Sequence, residues 1–431
     1  MNRIAFTTLG CKVNLYDSEA MAELFAQKGY EIVDFDDTAD IYVINTCTVT
    51  NFGDKKSRQM IRRARRQNEN SIIVATGCYA QVAPQTVAEI EGINIVIGTK
   101  DRGKVVEIVE SYRAEKGVLN AVTDIKGEKE FERLRVSNLK DRTRAYIKIQ
   151  EGCNRYCTYC IIPYARGPVR SRKPEDVIDE VKTLAKNGFK EVVLTGIHVA
   201  SYGLDLENIT LADIIEQVHS VEGIERIRFS SMEPKACDDE FVARMAKLPK
   251  VCEHYHLSLQ SGSDTTLKKM NRRYTAEEYA AACERLRKAF PDAAITTDII
   301  VGFPTETDEN FNESYEFAEK VRLSKIHVFP YSPKTGTPAA KIRPQIAPDV
   351  KNERSHKMLE LSARLNKEFM SRYISSTMEV LFERLEGDFY EGHTRNYIKV
   401  LCKSDSDLTN QLVNVKLTDI AGEETMYGRL M

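Results

Sequence analysis

The sequence places three cysteines, Cys153, Cys157 and Cys160, within eight residues, directly after a strand-like run that ends at Gly152. Closely spaced thiolates are typical of zinc sites, redox dithiols and iron–sulfur clusters. Three thiolates with no nearby fourth thiolate or histidine do not complete a tetrahedral zinc site. On a four-iron cluster, three thiolates leave one iron open to a small molecule. The spacing therefore favours a [4Fe-4S] cluster over a disulfide or a structural zinc loop.

Three further cysteines, Cys11, Cys47 and Cys78, each follow a strand-like run near the N-terminus. Helical patterns separate these runs, and strands that alternate with helices indicate a parallel α/β sheet. Ligands of such sheets bind beyond the carboxyl ends of the strands, so we expect the three cysteines at one edge. A single free cysteine is a good core residue. Recurrence at three successive strand ends instead favours a second cluster.

From residue 144 onwards, strand-like and helical patterns alternate. The strand-like runs are 145–150, 191–196, 226–232, 254–260, 295–302 and 326–332. Six strand–helix units are too few for a closed eight-fold barrel. We therefore predict a partly open (βα)6 barrel whose active site lies at the carboxyl ends of its strands, beside Cys153.

The chain has 431 residues, which is long for one domain. We predict an N-terminal α/β domain at 1–115, a charge-rich linker at 116–140 with a boundary near residue 140, and the barrel domain at 141–370. Short strand-like runs at 377–384, 397–401 and 411–417 predict a small β-barrel at 371–431.

Composition narrows the class of protein. The first eight residues look like a strand rather than a signal peptide, and no apolar run reaches the roughly 18 residues of a membrane span. We expect a cytoplasmic protein whose cysteines serve metal binding or catalysis rather than disulfides. The net charge is −2, so a nucleic-acid site must be a local patch. Four cysteines show no ligand spacing and are expected to be structural: Cys237, Cys252, Cys283 and Cys402.

With two cysteine triads, the chain resembles the methylthiotransferases of the radical S-adenosylmethionine (SAM) superfamily over nearly its full length. The resemblance is carried by the Cys153–Cys160 spacing with the aromatic Tyr159, by 8–14 (TLGCKVN) and by 160–167 (CIIPYARG). It implies an N-terminal α/β domain with an auxiliary [4Fe-4S] cluster, a (βα)6 radical SAM domain and a C-terminal TRAM β-barrel.

The motifs most resemble the branch that modifies carbon 2 of N6-threonylcarbamoyladenosine (t6A) at tRNA position 37. The branch that acts on isopentenyladenosine usually has Gln-Met after the first cysteine, and the branch that acts on a ribosomal-protein aspartate has Lys-Asn. Lys12-Val13-Asn14 fits neither of these. Both stay open as alternatives, together with a non-enzymatic metal-containing RNA-binding protein.

The resemblance also implies the chemistry. Cys153, Cys157 and Cys160 would bind the cluster through which an electron cleaves SAM to a 5′-deoxyadenosyl radical, which abstracts the hydrogen at carbon 2 of the base. That C–H bond is too inert for acid–base chemistry. The other three cysteines would bind the cluster that presents sulfur, and a second SAM would supply the methyl group. The implied partners are the tRNA anticodon stem-loop, a flavodoxin- or ferredoxin-like electron donor and a sulfur source.

Residues at the predicted strand ends are expected to line the SAM pocket. Alone, each could be a plain turn residue, but their shared edge favours a ligand. Phe329 and Tyr331 on the sixth strand could stack on a base, although a core position is favoured for Phe329. The SAM candidates are Gly196, Ser258, Gln260, Asp298, Gly302 and Tyr159.

RNA phosphates require local cations. Seven fall within twelve residues that contain no acid, on one predicted helix, and the missing acids favour RNA contact over a plain solvated face. Arg166, Arg170 and Arg172 follow the second cysteine triad, and Arg395 lies in 393–397, the candidate RNA-binding face of a C-terminal domain that is acidic overall. The helix cations are Lys55, Lys56, Arg58, Arg62, Arg63, Arg65 and Arg66.

Overall fold

A computed structural model of the protein describes residues 2–137 and 143–431. It contains a six-stranded N-terminal sheet, two sheets that form a partly open barrel, and a closed C-terminal β-barrel. The predicted mixed α/β architecture is therefore confirmed. The predicted domain boundary near residue 140 lies outside the described residues.

The N-terminal sheet is parallel throughout, with strand order β2-β1-β3-β4-β5-β6. Its central strand β3 is buried along its whole length because helices cover both faces. Its elements are β1 (Arg3–Thr8), α1 (Lys12–Gln27), β2 (Glu31–Val33), β3 (Ile41–Thr46), α2 (Asn51–Gln67), β4 (Ile72–Gly77), α3 (Cys78–Val82), α4 (Pro84–Ala88), β5 (Ile95–Val96), α5 (Val105–Ser111) and β6 (Leu119–Asn120).

Two short strands of this sheet were not predicted. β2 has three residues and β6 has two, too few to show a periodic pattern. Because β6 pairs with β5, the beginning of the predicted linker belongs to the sheet.

The central domain places six parallel strands around a barrel. β7, β9 and β10 form one sheet, to which the short β8 adds an antiparallel edge, and β11, β12 and β13 form another. Single bridges such as Met232–Leu257 connect the two sheets. The elements are β7 (Arg144–Glu151), α6 (Ile162–Arg166), β8 (Arg170–Ser171), α7 (Pro174–Lys186), β9 (Glu191–Gly196), α8 (Leu211–His219), β10 (Arg226–Phe229), α9 (Asp239–Met245), β11 (His254–His256), α10 (Asp264–Lys269), α11 (Ala276–Ala289), β12 (Ala294–Val301), α12 (Asp308–Val321) and β13 (Lys325–Pro330).

Threonines fix where the outer helices begin. Thr210, Thr275 and Thr307 each accept a hydrogen bond from the backbone three residues on and complete a capping box. Within the described residues the barrel stays open between β7 and β13, and α1 of the N-terminal domain packs along β7 and β9 at this opening. The N-terminal domain therefore lies against the mouth of the barrel.

The C-terminal barrel closes in the order β14-β15-β16-β18-β17. Its interior is filled by buried side chains that include Phe382, Val400 and Met426. None of the helices in the described ranges combines the length and apolarity needed to cross a bilayer. The remaining elements are α13 (Pro348–Ser371), β14 (Thr377–Glu386), β15 (Phe389–Thr394), β16 (Lys399–Cys402), β17 (Leu412–Ile420) and β18 (Thr425–Leu430).

Candidate active site between two cysteine triads

The N-terminal triad, Cys11, Cys47 and Cys78, gathers at one edge of the N-terminal sheet. The pairing register sets Thr46 beside Gly77, so β3 and β4 end level with each other. Burial raises the pKa of the Cys78 thiol to about 11, and Cys11 and Cys47 act on it electrostatically in the same direction. The three sulfurs therefore lie near one another, as the strand-end rule predicted.

Gly10 explains how the first strand approaches the others. Its φ is +101°, a conformation that glycine adopts easily, and an added Cβ would lie 3.0 Å from the Cys47 sulfur. A larger residue would push Cys11 away from its two partners.

The barrel triad, Cys153, Cys157 and Cys160, lies on a loop just beyond β7. The Cys153 amide donates to the Gly167 carbonyl at 3.0 Å, and the Cys160 amide donates to the Cys157 carbonyl at 2.9 Å. Burial raises the pKa of the Cys153 thiol to about 11 and that of Cys160 to about 12. Ligation of a metal would displace these protons.

The residues present fit iron–sulfur clusters. Each triad offers thiolates, the usual ligands of such clusters. Among the described residues, no three His, Cys, Asp or Glu side chains are arranged to hold a single metal ion. A lone zinc would draw all its sulfur ligands to about 2.3 Å from one point. A four-iron cluster binds each thiolate through a different iron, so its ligands stand farther apart.

In each triad, one sulfur accepts a hydrogen bond from an arginine side chain. Arg166 Nε donates to Cys78 Sγ at 3.3 Å, and Arg272 Nη1 donates to Cys157 Sγ at 3.3 Å. Hydrogen bonds to ligand sulfurs are among the factors that set the reduction potential of a cluster. Arg166 belongs to the barrel domain but reaches the N-terminal triad.

A buried charge network joins the two domains around Arg166. Its guanidinium pairs with Asp17 of α1 at 3.2 Å and with Glu151 at the end of β7. Arg102 and Lys148 pair with the same two carboxylates. Arg102 also pairs with Glu132 at 2.8 Å. Three cations thus face three carboxylates, so the network is neutral and its burial is compensated.

Three of the predicted SAM residues lie together. The Gln260 amide donates to the Asp298 carbonyl at 2.8 Å, and the Ser258 carbonyl accepts from Arg272 at 3.3 Å. Asp298 Oδ2 also lies 3.3 Å from His256 Nε2. These residues are therefore close to the arginine that contacts the barrel triad, and SAM contact stays a prediction for them.

The other predicted SAM residues have different surroundings. Tyr159 packs beside Phe303 and Tyr331, and a Cβ on Gly196 would lie 2.9 Å from the Gln150 side chain. A Cβ on Gly302 would lie 2.4 Å from Lys351, so packing against α13 accounts for this glycine without a ligand.

Sequence reasoning missed Glu233, which lies just after β10. It is buried, and its carboxylate pairs with Arg155 at 2.8 Å and Arg272 at 3.5 Å, with His198 Nε2 at 3.4 Å. Burial alone would raise its pKa, but His198 and the two arginines outweigh that effect and lower the pKa to about 2. Its position at a strand end was the signal that could have identified it.

Three of the predicted RNA contacts are wrong, because their side chains are enclosed. Arg166 has no exposed surface, and Arg170 and Arg172 are almost as buried. Arg172 pairs with Glu180 and donates to the Tyr16 hydroxyl at 3.1 Å. Arg166 and Arg172 contact α1 of the N-terminal domain, and Arg170 donates to the nearby Pro168 carbonyl, so none of the three faces solvent.

The predicted RNA-binding face of the C-terminal domain is also wrong, because this segment packs on the central domain. Arg395 pairs with Glu253 at 3.1 Å, and Arg228 donates to the Thr394 carbonyl at 2.8 Å. The Tyr397 ring stacks on His254 with 4.5 Å between ring centres. The segment 393–397 is therefore a domain contact.

The cations of α2 divide into two groups. Arg58 donates to the Tyr79 hydroxyl at 2.9 Å, Arg63 pairs with Asp36, and Arg65 donates to the Gly92 carbonyl at 2.6 Å. Within the described part of the chain, the remaining cations of the helix are exposed and have no ion-pair or hydrogen-bond partner. They are Lys55, Lys56, Arg62 and Arg66.

The two aromatic residues of the sixth strand exchange their expected roles. Phe329 was expected in the core, but 51% of its surface is exposed. Tyr331 is buried against Phe303. Residues two apart on one strand point to the same face, but β13 ends at Pro330, so Tyr331 lies beyond the strand and does not follow its alternation.

Comparison with known proteins defines the class first. Residues 147–318 match the radical SAM superfamily, and residues 3–98 match an uncharacterized protein family, UPF0004. A solved radical SAM methyltransferase, TsrM from Kitasatospora setae, superposes with a TM-score of 0.60 at 15% identity, covering 85% of this chain and 89% of that one. The chain thus has the radical SAM fold.

Relatives then define the family. The threonylcarbamoyladenosine tRNA methylthiotransferase MtaB of Bacillus subtilis is 48% identical over 97% of this chain and 94% of its own length. MtaB of Aquifex aeolicus is 44% identical over 86% and 90%. A tRNA-2-methylthio-N(6)-dimethylallyladenosine synthase of Acetivibrio thermocellus is 37% identical over 96% and 88%. The chain belongs to the radical SAM methylthiotransferase family, whose cofactors are SAM and two [4Fe-4S] clusters.

Proposed function

We propose that the protein methylthiolates carbon 2 of t6A at position 37 of tRNA. The observation that carries the proposal is the pair of cysteine triads held at one domain interface, each with an arginine that donates to one of its sulfurs. The relatives at 48% and 44% identity bear the name of this activity, whereas the dimethylallyladenosine enzyme is 37% identical. The alternatives on isopentenyladenosine and on a ribosomal protein are therefore not favoured.

The six cysteines would hold the cofactors. The barrel triad would bind one cluster and leave an iron for SAM, and the N-terminal triad would bind the auxiliary cluster. When bound, these groups supply the one-electron chemistry that replaces an inert C–H hydrogen by a methylthio group.

The chain itself supplies position and charge. Arg272 and Arg166 each place a positive charge and an N–H donor against one sulfur of a triad. The buried network around Asp17 and Glu151 fixes one triad relative to the other.

We further propose the tRNA anticodon stem-loop as the bound partner, with the exposed cations of α2 as a phosphate-binding face. The start of this helix joins the barrel domain, since Asn51 donates to the Pro333 carbonyl at 2.9 Å and Asp54 pairs with Lys334. The reaction also requires a flavodoxin- or ferredoxin-like electron donor and a sulfur source. We assign it to the cytoplasm.

A nucleoside comparison tests the proposed function. We expect tRNA from a strain that lacks this gene to contain t6A but not its 2-methylthio derivative, measured by mass spectrometry of digested tRNA. The intact gene should restore the derivative, and a gene encoding Cys157→Ala should not. Unchanged 2-methylthio-t6A in the deletion strain would refute the tRNA activity.

The phosphate-binding face can be tested by salt dependence. Changing Lys55, Lys56 and Arg62 together to glutamine should weaken tRNA binding and lower the slope of log Kd against log salt by about 2–3, because each lost phosphate contact removes about 0.7–0.9. The control changes Lys182, Lys186 and Lys247 to glutamine, which are exposed on the far helices of the barrel. Equal slopes for the two variants would exclude this face.

A further inference from the structure

Lys12 is the first residue of α1 and directly follows Cys11. Its side chain is exposed, and its ammonium lies 5.7 Å from the centre of the Tyr146 ring on β7. In the described part of the chain, no carboxylate forms an ion pair with it. The Lys12 ammonium, beside the proposed cluster ligand Cys11, is therefore available to bind an anion.

The surroundings of Lys12 come from three parts of the molecule. Arg144 lies at the start of β7, Glu191 at the start of β9 and Arg228 on β10. Tyr397 belongs to the C-terminal barrel. All four are near enough to interact electrostatically with the ammonium. Solvent still reaches the side chain. The ammonium thus lies where the start of α1 meets β7 of the barrel, and a soluble ligand can reach it.

The neighbouring charges are already neutralised. Arg144 pairs with Glu383 at 2.9 Å and donates to the Tyr397 hydroxyl at 2.9 Å. Arg228 pairs with Glu191 at 2.8 Å and donates to C-terminal backbone carbonyls. Among Lys12, Arg144 and Arg228, which come together here, Lys12 is the cation for which the described residues provide no counter-charge. An anion that enters this site can therefore pair with Lys12 without displacing another partner.

The candidate base substrates differ in the chemical group that N6 carries. The threonylcarbamoyl group on N6 ends in a carboxylate, whereas a dimethylallyl group is purely apolar. Carbon 2 and the carbon that bears N6 are separated on the base ring by a single nitrogen. If carbon 2 of a bound base faces the triad that contains Cys11, the N6 substituent of that base would therefore lie within reach of Lys12.

We propose that Lys12 binds the carboxylate of the threonylcarbamoyl group and thereby selects this base over adenines that lack it. The inference rests on the proposed function. A site that pairs a polar group rejects analogues without that group, because its own polar atom is then left unpaired in an enclosed space.

Binding of two tRNAs tests the inference. The two are identical except that one carries t6A and the other unmodified adenosine at position 37. We expect the wild-type protein to bind the t6A form more tightly, and Lys12→Met to lose most of this preference, an about 100-fold change in the ratio of Kd values. Lys12→Arg should restore part of the preference because it restores the positive charge. Lys28→Met, at the other end of α1, is the matched control and should keep the ratio.

The ratio is measured within each variant, so it is informative even if a variant assembles its clusters poorly. It can be repeated on cluster-free wild-type and variant proteins. A Lys12→Met protein that keeps the wild-type ratio would overturn the inference. A wild-type protein that fails to methylthiolate t6A-containing tRNA would instead overturn the proposed function, so the two failures can be told apart.

Discussion

Replacing Cys11 by alanine is expected to abolish methylthiolation while SAM cleavage continues. The N-terminal triad would then keep only two thiolates, whereas the barrel triad lies on a different domain and is unchanged. Iron content should fall from about eight to about four per chain after anaerobic reconstitution, because one cluster of four irons is lost. The measurements are iron content, 5′-deoxyadenosine production under reducing conditions, and 2-methylthio nucleoside in tRNA.

Two other cysteine variants provide the comparisons for the Cys11→Ala result. Cys157→Ala, in the barrel triad, should abolish both SAM cleavage and methylthiolation. Cys283→Ala removes a fully buried core cysteine and should leave the iron content unchanged. Loss of SAM cleavage in Cys11→Ala would contradict the assignment of two separate sites. Zinc in place of iron in the wild-type protein, without 5′-deoxyadenosine, would favour a non-enzymatic RNA-binding protein.

Arg166→Gln is expected to lower the free energy of unfolding by about 3–5 kcal/mol, because it breaks a buried ion-pair network and leaves a carboxylate uncompensated. Asp17 and Glu151 would share only Arg102 and Lys148. The Cys78 sulfur would also lose its donor. Urea unfolding of the cluster-free protein measures the change without a contribution from metal binding.

Arg364→Gln provides the matched control. This arginine also pairs with two carboxylates, Glu319 and Glu368, but it is exposed on α13. Exposed pairs typically contribute less than about 1 kcal/mol, because solvent screens the charges. If the two variants lost the same amount of stability, the buried network would not hold the domains together as described.

Much of the site could be predicted from sequence because its signals are local. The spacing of Cys153, Cys157 and Cys160 is a property of one loop, and the register of parallel strands brings Cys11 and Cys47 to one edge. Strands of two or three residues such as β2 and β6 escaped prediction, since a pattern needs several residues to repeat.

The roles of the charged and aromatic side chains could not be predicted in the same way. Arg166, Arg170 and Arg172 look like an RNA-binding patch in the sequence, yet all three are buried. Phe329 and Tyr331 are two residues apart and have opposite exposures. Burial depends on what packs against a residue. The local sequence does not show which residues a neighbouring domain will cover.

By itself the sequence predicted the mixed α/β architecture, which is confirmed, and it predicted radical SAM chemistry with the two cysteine triads as cluster ligands. The tertiary structure decided which cations form ion pairs and which remain unpaired. Arg166 meets Asp17 across 149 residues of chain, and Lys12 meets the ring of Tyr146 on another domain. The physical reason is that backbone periodicity acts over a few residues, whereas charges are paired or left free only when distant segments dock.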